Sequence, residues 1–337
     1  MQTLEDPSSN ASKQGSHAGT QADVSGACKQ AGVSDARKQA DASRPRSYRT
    51  LAHAAPFGSV FSRVRGWLLV LLLAPQLCAG THATLLDDAF GDLYNFNFPA
   101  AHQAVDRYIA EHPQESLPYS VRASAYLFYE LDRLGILESE FLIDDKRIVD
   151  KKAKTPDPVA RAKFLKAVDD ARTRADAALA ADPDDKMALL SMCIAEGVST
   201  DYMALVEKHQ ILSLAPAKKS NNYAQRLLKI DPKFYDAYLA AGFSEYMIGS
   251  LPFFVRWFVH FDNVNGDKKA GIQHVQLVAN EGHFLKPFAK ILLAIAALRD
   301  KRPRDAEMLM HDLAKAYPQN PLFRKELDKL TVKIGAN

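Results

Sequence analysis

Four helix-like segments of this 337-residue chain stop at a proline: "RYIAEHP" at Pro113, "ALAADP" at Pro183, "RLLKIDP" at Pro232 and "LAKAYP" at Pro318. Each is amphipathic, and another helical pattern follows each within a few residues. Proline has no amide hydrogen and pushes its predecessor out of helical geometry. The recurrence therefore predicts helices cut to length, each turning back on the one before. Strand signals are almost absent, with no sustained two-residue alternation and few β-branched runs. The longest pattern, "VARAKFLKAVDDARTRADAALAADP" over 159–183, predicts a helix. Ala162, Leu165, Val168, Ala171, Ala175, Ala178 and Leu179 form its apolar stripe, with Arg, Lys and Asp opposite. The expected fold class is all-α.

The beginning of the chain reads differently. Residues 1–62 are rich in Ser, Ala, Gln, Lys and Gly and poor in large apolar side chains, which predicts a disordered extension. "RVRGWLLVLLLAPQLCAGTHA" over 63–83 has a basic head, a short apolar middle and a small-residue exit, the layout of a secretory signal. Its apolar run is shorter than the roughly 20 residues that span a bilayer. Cleavage is expected after Gly80 or Ala83, with an inner-membrane anchor as the alternative if the signal stays uncleaved. Such a signal so far inside a reading frame also points to initiation near Val60 or Val64. Residues 84–337 form the expected folded domain, exported to the periplasm or the outer membrane. Residues 1–83 hold nine of the 43 basic and five of the 40 acidic side chains, leaving 34 against 35 in the domain. That balance gives no reason to expect a nucleic-acid partner. Cys193 alone survives processing, and "ALLSMCIAEG" around it predicts a buried free thiol.

The proline-ended helices resemble tetratricopeptide repeats, paired antiparallel helices of about 34 residues that stack into a solenoid. In "PFAKILLAIAALRDKRPRDAEMLMHDLAKAYP" Ala294, Ala306 and Ala314 fall at the family's close-packing positions, with Pro318 at its terminal proline. Ala171 and Ala178 repeat the pattern before Pro183, Ala224 and Leu227 before Pro232, and Ala101 before Pro113. Pro113 to Pro183 spans 70 residues and Pro183 to Pro232 spans 49, so insertions are expected at 134–158 and in part of 203–222. The resemblance implies a right-handed superhelix of roughly five units whose hollow face holds a protein or peptide partner. On that analogy the partner-binding residues are Arg122, Tyr126, Tyr129, Tyr238, Phe243, Tyr246, Trp257 and Arg299, with the two arginines as carboxylate clamps.

"SLPFFVRWFVHF" over 250–261 places Phe253, Phe254, Trp257, Phe258 and Phe261 on one helical face. Three readings stand: core, a wall exposed to an apolar ligand or partner helix, and a peripheral membrane contact. No His-Glu-x-x-His, Cys-x-x-Cys, Gly-x-Ser-x-Gly or phosphate-cradling glycine loop occurs, so no catalytic residue, metal or cofactor is expected. The expected function is a non-enzymatic adaptor or assembly factor of the bacterial envelope. The alternative is a periplasmic helical module, associated with a transporter, that binds an apolar small molecule or lipid near 250–261.

Overall fold

Each expected proline stop is a helix end in the structure, a computed structural model that describes residues 79–149, 155–250, 264 and 266–336. The backbone leaves helical geometry at His112, Asp182, Asp231 and Tyr317, the residues immediately before the four prolines. The elements are α1 (Ala79–Tyr94), α2 (Phe98–Glu111), α3 (Leu117–Arg133), the short α4 (Ser139–Leu142) and α5 (Asp145–Val149), and α6 (Pro158–Ala181). They continue with α7 (Lys186–Asp201), α8 (Leu214–Ile230), α9 (Tyr238–Ser250), α10 (Lys268–Glu281), α11 (Lys286–Arg299), α12 (Pro303–Ala316) and α13 (Pro321–Gly335). Helix is the only regular secondary structure among the described residues, with no strand among them.

Short polar side chains start the helices that the prolines make necessary. Asp157, Asp185, Asp267 and Asn320 each accept two backbone N–H groups from the first turn of α6, α7, α10 and α13. A cap of this kind is worth about 1 kcal/mol, because those first amides have no partner inside the helix.

Successive helices pack in pairs: α1 with α2, α3 with α6, α7 with α8, α9 with α10 and α11 with α12. The second helix of each pair also packs on the first helix of the next, and α13 follows α12. Lys186 pairs with Asp231 and the Cys193 thiol lies 3.7 Å from the Ser220 hydroxyl, so α7 and α8 run antiparallel. Cys193 is a buried free thiol, and burial pushes its pKa up to about 11. A continuous apolar core includes Phe90 of α1, Leu127 of α3, Ile194 of α7, Leu239 of α9 and Leu293 of α11.

The first pair also meets the last. Tyr94 Oη donates to Phe284 O at 3.0 Å, Asn320 Nδ2 donates to Tyr94 O at 2.7 Å, and Gln319 N donates to Asn95 Oδ1 at 3.2 Å. Phe90 stacks on Phe284 with centroids 4.8 Å apart, and His283 pairs with Asp87 at 2.8 Å. The α3–α6 connection adds a strap, in which Glu138 and Glu140 bind Lys325 and Lys329 of α13.

One local expectation is corrected. The buried stripe of α6 is Ala160, Phe164, Ala167, Val168, Ala171 and Ala175, whereas Leu165 is 44% exposed. Phe164 wins the inward position because its ring stacks on Tyr202 at 4.4 Å. In the part of 203–222 where an insertion was expected, a π-helical turn (Tyr202–Val206) and a tight loop precede α8, which begins at Leu214. The proposed extension 1–62 and the stretch 251–261 lie outside the described residues. Of the expected leader only Ala79–Ala83 is described, at the start of α1.

Candidate binding surfaces

Arg122, Tyr126 and Tyr129 recur along α3 at helical spacing, and all three turn toward α2. Arg122 pairs with Asp106, the Tyr126 ring lies 4.3 Å from the His102 ring, and Tyr129 meets Phe98 edge-on at 5.9 Å. The residues of α3 that turn inward are different: Ser120 bonds Ser191 of α7, and Phe128 meets Phe288 of α11. Phe90 of α1, Leu127 of α3, Ile194 of α7 and Leu293 of α11 share one buried apolar cluster. His102 is a member of this cluster that the sequence did not single out. Burial, then the Arg122 charge, lowers its pKa to about 4, and its Nδ1 has no hydrogen-bond partner.

Tyr238, Phe243 and Tyr246 lie on α9, a helix that packs on α10. Tyr238 sits 5.2 Å from the His274 ring, and His274 Nδ1 lies 3.0 Å from Glu245 Oε2. Tyr246 is buried, with Lys268 Nζ 5.7 Å from its ring centre. Phe243 is half-buried. Arg299 donates to Leu142 O at 3.2 Å, a bond that joins α11 to the strap. Trp257 lies outside the described residues. The expected residues therefore divide among the α2–α3 contact, the α9–α10 contact and the strap rather than converging on one surface.

A concave site opens elsewhere. Over α12, between α10 and α13, runs a groove of about 1190 Å³. Ile272, Leu293, Ala297, Leu309 and Leu327 give it an apolar floor. Met308 and Val332 stand in it 65% and 72% exposed. Its rim carries Asp305, Glu307, Asp312 and Asp328 against Arg302 and His311. Sequence reasoning missed it because Met308 and Val332 look like ordinary positions of amphipathic helices; only the packing of α10, α12 and α13 shows that they stay exposed in a groove among the described residues.

Several polar groups are buried away from the groove. Tyr202 Oη and both amide atoms of Asn221 are buried without hydrogen-bond partners, on the π turn and on α8. Asp201, at the last position of α7, has its carboxyl pKa pushed up to about 7 by burial. Among the described residues no three His, Cys, Asp or Glu side chains stand close enough to share a metal ion. The chain matches no protein-family model, no curated protein and no solved structure.

Proposed function

We propose that the protein is a non-enzymatic adaptor of the bacterial cell envelope, built as a tetratricopeptide-like solenoid of paired helices. The basic-then-apolar leader at 63–83 supports export to the periplasm or the outer membrane. The observation that carries the binding role is the groove over α12, with its apolar floor, two unburied apolar side chains and predominantly acidic rim. A groove of this chemistry suits an amphipathic helix from a partner protein, laid apolar side down with lysines or arginines along its edges. The apolar contacts would supply affinity, and the carboxylates would set orientation and reject acidic helices.

The test uses two model peptides on the full-length protein, one amphipathic helix with leucines and lysines and the same helix with glutamates for lysines. The lysine peptide is expected to bind, and Met308→Asp with Val332→Asp is expected to weaken it at least tenfold. Equal binding of both peptides, or binding indifferent to the double substitution, would reject the groove as the site.

A further inference from the structure

We infer a second surface, independent of the groove: the loop before α8 is a docking point for an anionic lipid bilayer. Ile211 is 83% exposed, Leu212 60% and Leu214 39%, three large apolar side chains within four positions. A single exposed leucine is ordinary, but a contiguous exposed patch marks a contact surface.

The loop is held in this presentation. Glu207, before the tip, accepts two hydrogen bonds from the Arg161 guanidinium at 3.0 and 2.7 Å. Lys208 adopts φ +60°, a costly value for a residue with a β-carbon, and its ammonium donates to Arg147 O at 3.3 Å and Ile148 O at 3.2 Å. Gln210 Nε2 donates to Ile148 O at 3.3 Å. Behind the tip the buried Ser213 closes the turn, with its hydroxyl donating to Gln210 O at 2.8 Å and its N–H to His209 O at 2.9 Å. Fixed on both sides, Ile211 and Leu212 project outward.

Charge decides between a bilayer and a protein partner. Residues 207–219 carry three lysines and one histidine against one carboxylate, Glu207, which Arg161 already binds. The adjacent α5 segment adds exposed Lys146 and Arg147, set against Asp144, whose carboxylate lies 3.6 Å from Arg147, and Asp145 of the same segment. An apolar tip collared by cations matches the layering of an anionic membrane, with acyl chains beneath and phosphates around. Two or three projecting side chains on a loop offer far less than the roughly 800 Å² per partner of a stable protein interface.

The experiment places a reporter at the tip of the full-length chain. Leu212→Trp is mixed with vesicles of phosphatidylglycerol brominated along the acyl chains, and the parent, with Trp67 and Trp257, supplies the background. The expected result is a blue shift and quenching beyond the parent's, several-fold weaker on phosphatidylcholine and in Lys218→Glu/Lys219→Glu. Met308→Trp, in the groove, is expected to show no added quenching. Quenching absent at position 212, equal at 212 and 308, or as strong on phosphatidylcholine would overturn the proposal. Because the groove peptides are read in the absence of lipid, each proposal can fail alone.

Discussion

Two half-buried ionisable residues tilt the stability of this fold in opposite directions. Asp201 ionises near 4 in an unfolded chain but only at about 7 in the folded one, because burial disfavours its charge. Between those values the folded state keeps a proton that the unfolded state has released, so stability falls as pH rises from about 4 to 7. Asp201→Asn is therefore expected to add about 1–2 kcal/mol at pH 8 and little at pH 4, read as urea midpoints at the two pH values. That figure lies below the full linkage value because the carboxyl retains part of its contact with water. His102 works the other way: its pKa falls from 6.5 to about 4, so stability present above 6.5 is lost as pH falls through that window. Neither effect was legible in the sequence. "STDYM" and "AAHQA" look like solvated helix text, and for His102 the covering ring is Tyr126 of the next helix, a contact that only the packing shows.

At the scale of elements, the helices were legible because their stops are local chemistry. Pro113, Pro183, Pro232 and Pro318 need no tertiary partner to end a helix. What was hidden depends on contacts between helices. The inward face of α6 was misjudged in its first half, where Ala162 and Leu165 are exposed and Phe164 turns inward to stack on Tyr202. The crossing of α9 and α10 rests on Gly242 and Gly271. A β-carbon at Gly271 would stand 2.5 Å from Tyr246 N and 2.6 Å from Gly242 O, both backbone atoms that cannot swing aside. Gly271→Ala is expected to cost about 2–3 kcal/mol in chemical denaturation, the overpacking exceeding any gain in helix propensity. Gly91→Ala in α1, where no atom lies within 4 Å of the new carbon, is expected instead to gain up to about 1 kcal/mol.

At the scale of the described helices together, the contacts between α1 and the turns before α11 and α13 distinguish this fold from an open row. In an open row each pair leans only on its neighbours, and the terminal helices fray first. Here Asn320 caps α13 and, through its Nδ2, also holds Tyr94 O of α1. Asn320→Ala is expected to cost about 1–3 kcal/mol. Amide exchange should quicken in α1 as well as α13; acceleration confined to α13 would mean that the two ends are energetically independent. The sequence carried no sign of this joint: Tyr94 and Asn320 are separated by 226 positions, and neither belongs to a repeat pattern.

The joint bears on how such a chain can change over generations. Open arrays tolerate duplication, since an added hairpin merely lengthens the stack. Here an extra hairpin between α2 and α11 would carry Phe284 and Asn320 away from Tyr94 and leave the Phe90 ring facing water. Descendants of this protein would therefore be expected to vary their loops and grooves while keeping the number of hairpins constant.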